Sequence, residues 1–282
     1  MIEFVIPLAD WVNVIFEVIS FHISPVMRSL SAFLEVIIRQ FEAALLWPPE
    51  AVVMILIGLI VWRLAGTRLA IFAVLGLLTT FGMQVWDETM ATIALALSGT
   101  AVSLLFGVPL GILAAQNDTA EKIIRPILDF MQTLPSFVYL IPAVMFFGMG
   151  KVAALVATMI FAMPPAVRLT NLGIREVSRE MVEAARAFGS SRWQTLTDVQ
   201  LPLALPTIMA GINQCIMMSL AMTVIASMIG AGGLGLVVLQ SMQMLDIGMG
   251  TVGGLGIVIL AIILDRMTES IAKKQEASKK IN

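Results

Sequence analysis

Charge is what this chain has least of. Asp, Glu, Lys and Arg make up only 13% of its 282 residues, while 59% are hydrophobic. A soluble domain of this size needs more polar surface than that and would aggregate. There is one cysteine, Cys215, in an apolar run, which excludes a disulfide within the chain and any thiolate metal cluster. With one histidine, His22, no Ser/His/Asp or Cys/His nucleophile set can be assembled. A net charge of −2 gives no basis for a nucleic-acid partner. The first thirty residues show no basic n-region and no small-residue cleavage site, so no removable signal peptide is expected. A Walker A sequence is missing too. "GMGKV" at Gly148–Val152 ends in Gly-Lys, but valine follows the lysine and Met145 stands where the first glycine belongs. Hydrolysis of ATP by a P-loop is therefore not expected of this chain, and no cofactor or metal is assigned to it.

Long apolar runs are what the chain does have. Val52–Trp62, Leu69–Val85, Thr89–Ala115 and Val252–Leu264 are too many and too apolar for one buried core, and mean hydropathy is +0.96. Most approach the length needed to cross a hydrocarbon slab of about 30 Å as a helix. The expected fold is an all-α polytopic membrane protein. Spans are expected near 50–64, 68–86, 89–115, 133–149, 152–170, 203–228 and 248–266, seven in all, with Pro135 and Pro142 inside the fourth. No ionisable residue falls clearly in mid-span, which counts against a proton- or sodium-driven carrier. With 171–202 in the cytoplasm, alternation puts 14 of the 17 basic residues on that side, leaving Arg28, Arg39 and Lys151 outside. Positive residues concentrate inside, so the N-terminus is expected outside and the C-terminus in the cytoplasm.

The first 49 residues read differently. Met27, Leu30, Phe33, Leu34, Ile37, Ile38, Phe41 and Leu45 recur at helical spacing, with Glu35 and Arg39 placed to pair at i, i+4. This suits a helix lying in the membrane interface, or else a helix packed onto the spans. "GAGGLG" at Gly230–Gly235 and "GMGTVG" at Gly248–Gly253 match the dinucleotide-loop pattern only formally, because a membrane helix and not a strand precedes the first. The first is expected to be a tight extracellular turn with positive φ and close backbone approach. Gly107/Gly111 and Gly250/Gly254 have small-xxx-small spacing for close helix packing. Tyr139, Asn213, Gln214, Ser219 and Thr223 are uncharged polar residues at membrane depth. They are candidates either for inter-helical hydrogen bonds or for the lining of a pathway for an uncharged or zwitterionic solute.

One comparatively polar insert, "MVEAARAFGSSRWQTLTDVQLPLALP" (Met181–Pro206), interrupts this pattern. Ser178 can cap a helix start, with Glu180 and Glu183 near its positive end. Gly189 can end that helix in a left-handed conformation. Ser191 and Gln194 have capping-box spacing for a second short helix running to Leu201, before Pro202 and Pro206 mark entry to the next span. Such a surface suits either an amphipathic interfacial loop with no partner or a docking element, whose alanines (Ala184, Ala185) and Phe188 would seat in a groove with Glu183 and Arg186 orienting the contact.

Glu183-Ala184-Ala185, three residues, Gly189, nine residues and Val199-Gln200-Leu201-Pro202 resemble the "EAA" motif of ABC-transporter permeases, E-A-A-x3-G-x9-I-x-L-P, with Val for Ile. "LDFMQTLPSFVYLIPAVMFFGMG", "FAMPPAVRLTNLGIREV" and "IGAGGLG" resemble the glycine betaine/proline branch of these permeases, over about residues 88–268. The resemblance implies a type I ABC importer transmembrane core over 88–268 with coupling helices at 178–202. Around it stand an N-terminal interfacial segment (1–49), two accessory helices (50–86) and a basic cytoplasmic tail (269–282). It further implies a bacterial plasma membrane location and a second copy of the permease. Its other partners would be two copies of an ATPase subunit that holds ATP and magnesium, and an extracellular substrate-binding protein. The substrate would be a compatible osmolyte of the betaine class. Coupling would fall to Glu183, Ala184, Ala185, Phe188, Gly189, Leu201 and Pro202. The competing classes are a secondary transporter or channel working without an ATPase, and a non-transporting membrane scaffold that binds a partner without solute flux.

Overall fold

The computed structural model describes residues 7–279, and among these every regular element is helical. The expected boundary segments 1–49 and 269–282 therefore have ends, 1–6 and 280–282, outside the described residues. In chain order the helices are α1 (Leu8–Leu46), α2 (Glu50–Ala65), α3 (Thr67–Gly82), α4 (Trp86–Gln116), α5 (Asp118–Thr133) and α6 (Leu140–Phe147). There follow α7 (Lys151–Arg175), α8 (Arg179–Ala187), α9 (Arg192–Gln194), α10 (Leu201–Ala226), α11 (Gly233–Met244) and α12 (Ile247–Lys279).

Four helical runs are long and apolar enough to cross a membrane: Trp86–Gln116, Lys151–Arg175, Arg192–Ile229 and Ile247–Lys274. Two bent pairs bring the number to six if each counts as one span. One of these pairs replaces the straight fourth span expected over 133–149. There α5 and the Ser136–Phe147 arm meet at 107°. Pro135 is the cause, because a residue before proline is driven out of the helical region, and Leu134 is extended at φ −69, ψ 138. α5 was not foreseen as a helix, although Asn117 caps it by accepting from the Thr119 and Ala120 N–H groups, and Asp118 and Glu121 occupy its first turn.

Helix α7 is packed between α4 and α10, and small residues set how closely. A Cβ added at Gly107 would lie 3.1 Å from the Ala166 Cβ. At Gly111 it would lie 2.6 Å from the Thr170 Cβ and 2.7 Å from the Val167 carbonyl oxygen. The expected close packing at Gly107/Gly111 is therefore present. The Gly250/Gly254 pair is different: Gly250 faces the Ser241 Oγ at 3.2 Å, but nothing lies within 4 Å of a Cβ at Gly254. The tight contacts of α12 belong instead to Gly253, against Val238, and Gly256, against Leu234, because those positions face α11.

α1 is longer than its amphipathic stripe suggested, and its arms Asp10–Ile23 and Pro25–Leu46 are bent by 71°. The stripe divides. Ile38 is buried with Leu34 against the core, whereas Phe33, Ile37 and Phe41 stay exposed. Glu42 pairs with Lys151, so this helix is packed onto the transmembrane bundle. The expected Glu35–Arg39 pair forms at 3.0 Å. His22 donates to the Val18 carbonyl, at 2.8 Å, and so has a local structural partner.

Candidate coupling surface and membrane pathway

The polar insert forms one anchored unit with two faces. Ser178 caps α8 by accepting from the Met181 N–H at 3.4 Å, and Glu180 lies in the first turn. Gly189 follows with φ +88, the left-handed value that ends the helix. The Ser191/Gln194 capping box is complete. The Ser191 Oγ accepts from the Gln194 N–H at 3.3 Å, and the Gln194 Oε1 accepts from the Ser191 N–H at 2.9 Å.

The second helix does not stop at Leu201. It runs on from Arg192 through a wide π turn at Thr195–Gln200 into α10. Pro202 accounts for the widening, because it has no N–H to give the Asp198 carbonyl and its ring crowds that oxygen. Leu196, buried with Ile174, Ala204 and Ile208, pins the π turn to the bundle, and Leu201 packs beside it. Burying a leucine is worth about 1.5–3 kcal/mol.

The opposite face is bare. Phe188 is 92% exposed, Trp193 70% and Met181 51%. Glu183, Ala184 and Gly189 are exposed, and Ala185, Leu201 and Pro202 are half-buried. Neither Glu183 nor Arg186 forms an ion pair among the described residues, although both line a cavity of about 350 Å³ with Arg175, Val182 and Gln200. Below α8, Gln116 donates to Gln200 at 3.0 Å and ties the end of α4 to the insert.

Arg175 was missed by reasoning from the sequence, which used it only as a positive charge. It donates to the Ala114 carbonyl at 2.8 Å, and pairs with Asp118 at 2.8 Å and Glu121 at 3.1 Å. A guanidinium at the carbonyl end of α4 also faces the negative pole of that helix. Arg168 pairs with Asp129, so two arginines of α7 hold the polar face of α5. No local spacing marks pairs separated by 39 to 57 residues.

The five candidate pathway residues lie on two segments, Tyr139 in the turn before α6 and the other four on α10. Tyr139 donates to the Met131 carbonyl and so closes the bend between α5 and α6. Asn213 donates to Asp265 at 2.9 Å and accepts from Thr268, joining α10 to α12. Thr223 donates to the Leu220 carbonyl. Ser219 is fully buried, with its hydroxyl against the Cys215 thiol on the same helix. Gln214 alone is exposed.

At the other end of α10 the glycine turn forms as expected, with Gly230, Gly232 and Gly233 all at positive φ. Thr92 accepts from the Leu234 N–H at 2.8 Å, and a Cβ at Gly233 would be 2.5 Å from that hydroxyl oxygen. The turn leads directly into α11, a helix the sequence reading did not include.

Apolar helices long enough to cross a membrane, with a polar insert anchored on one face and bare on the other, mark a polytopic membrane protein with one polar surface left open. Residues 107–276 match the family described as "Binding-protein-dependent transport system inner membrane component", and the chain belongs to that family. It is 47% identical over 268 residues to the glycine betaine/proline betaine transport system permease protein ProW of Escherichia coli (strain K12), covering 95% of this chain and 76% of that one. It is also 47% identical over 276 residues to the glycine betaine/carnitine transport permease protein GbuB of Listeria monocytogenes, covering 96% and 98%. The glycine betaine permease OpuAB of Bacillus subtilis is 42% identical, with 96% of each chain covered. Among solved structures, the inward-facing MetNI methionine ABC transporter matches with a TM-score of 0.64 at 20% identity, over 68% of this chain and 95% of that one, a likeness of fold. The chain is a multi-pass permease component of an ABC importer, a transport subunit and not itself an enzyme.

Proposed function

We propose that this permease carries a betaine-class zwitterion into the cell, driven by ATP hydrolysis on a separate subunit. The observation carrying the substrate class is the identity, over nearly the whole chain, to permeases named for glycine betaine, proline betaine and carnitine transport. Two permease copies pair around a central path. Two ATPase copies, holding ATP and magnesium, dock on the bare face of the 178–202 unit. A binding protein delivers the solute at the opposite side. The N-terminus lies outside and the C-terminus inside, as the distribution of basic residues supports.

Glu183 and Arg186 orient the ATPase contact, and Phe188 fills a pocket on it. Gly189 fixes the turn, while Leu201 and Pro202 hold the unit to α10. Closure of the ATPase dimer moves the unit, and the transmembrane helices follow as rigid bodies between outward- and inward-open states. The exposed Gln214 and the α10–α12 contact at Asn213 flank the path, with Tyr139, Ser219 and Thr223 in the helices around it.

Reconstitution of the permease with its ATPase and binding protein in proteoliposomes tests this reading. ATP-dependent, vanadate-sensitive uptake of glycine betaine is expected. Uptake that persists without the ATPase and collapses with a protonophore would overturn it.

A further inference from the structure

The turn between α2 and α3 gathers positive charge with no ion pair among the described residues to neutralise it. Gly66 alone joins the two helices, at φ 89 and ψ 176, a conformation essentially reserved for glycine. Arg63 and Arg68 flank it and are exposed. From a residue 211 positions away, Lys274 donates to the Arg63 carbonyl at 2.8 Å, which brings a third cation to the same tip. None of the three makes an ion pair among the described residues, and the first turn of α3 has neither an acidic residue nor a side-chain cap.

The surface below the tip is apolar and continuous with it. Arg68, Ile71, Leu75 and Leu78 follow at steps of three and four residues, so the arginine heads an exposed stripe along α3. Ile55, Leu59 and Arg63 do the same at four-residue steps on α2, with the exposed Trp62 beside the arginine. Each helix has 16 residues, about 24 Å of length, which is less than the hydrocarbon slab of about 30 Å. Headgroups must therefore come down to meet the tip. A cationic head above apolar stripes on two neighbouring helices is complementary to an anionic amphiphile with two chains.

We propose that the Arg63–Arg68 turn and Lys274 form a binding site for the phosphate of an anionic phospholipid, whose acyl chains lie along the exposed faces of α2 and α3. A zwitterionic lipid would bring its own cation to the cluster, so binding discriminates by headgroup charge. The stripes, in turn, separate a lipid from free phosphate.

The full chain in detergent, stripped of lipid and offered phosphatidylglycerol or phosphatidylcholine with identical acyl chains, tests this by native mass spectrometry without ATPase or solute. A failed transport assay thus leaves the test intact. Wild type is expected to retain phosphatidylglycerol preferentially. Arg63→Gln/Arg68→Gln should bind it about thirtyfold more weakly at an unchanged melting temperature. Arg63→Lys/Arg68→Lys should restore most of the preference, and Lys274→Gln should lose part of it. Equal retention of the two lipids by wild type, or undiminished retention by the glutamine variants, would overturn the proposal. So would displacement of the lipid by millimolar inorganic phosphate, which would mark a small-anion site.

Discussion

The α4–α7 crossing and the α8 unit both depend on glycine, for opposite reasons. At Gly111 the constraint is space, since the Thr170 side chain and the Val167 carbonyl occupy the place of a Cβ. At Gly189 nothing lies within 4 Å of that place, and the constraint is the backbone at φ +88. One region is specified by its own neighbours and the other by a conformation that presents residues outward. The crossing therefore bears on whether the permease folds, and under the proposed coupling the α8 unit bears on what it works with.

The largest effect is expected at the crossing. Gly111→Leu forces side chain into a backbone carbonyl and should cost about 3 kcal/mol or more, with little folded permease recovered from membranes by size-exclusion chromatography. Recovery at wild-type levels would mean that α4 and α7 are not in contact there. Next comes Glu183→Lys, on the bare face, which should reduce ATP-dependent uptake by about thirtyfold or more while leaving membrane insertion and melting temperature unchanged. Phe188→Ala should act in the same direction. If these variants melted early, the distinction between the two regions would fail. Gly189→Ala should be intermediate, with strain of about 1–2 kcal/mol confined to the end of α8, read as faster hydrogen exchange over 179–190 than elsewhere. The smallest effect belongs to the exposed Glu35–Arg39 pair. Arg39→Ala should shift stability by no more than about 0.5 kcal/mol in thermal melts, and a larger shift would give α1 an energetic role its exposure does not suggest.

What could be read from the sequence was local. The capping box at Ser191/Gln194, the left-handed Gly189, the Glu35–Arg39 spacing and the glycine turn at Gly230 are set by residues a few positions apart. Most long apolar helices were also legible, because a hydrocarbon slab imposes length and composition. The site's framework was not. Arg175 with Asp118 and Glu121, Glu42 with Lys151, and Asn213 with Asp265 join distant segments, and no periodicity announces them. α5 escaped because it is amphipathic rather than apolar, although Asn117 and Asp118 carried its start signal. Gly250/Gly254 had a packing spacing, but only the surrounding helices determine which glycines face a neighbour.

One helical run, Arg192–Ile229, has the α8 unit at one end and the Gly230–Gly233 turn at the other. Its 38 residues would span about 57 Å, and at the far end the Ile229 carbonyl accepts from the Gly150 N–H at 2.9 Å. Under the proposed coupling, the run is a pushrod with a bearing at each end. A displacement imposed at Trp193 needs no relay of side chains to reach the Gly150 turn. The π turn at Thr195–Gln200 is its irregular length, so stiffness there sets how much of a displacement at Trp193 arrives at Gly150.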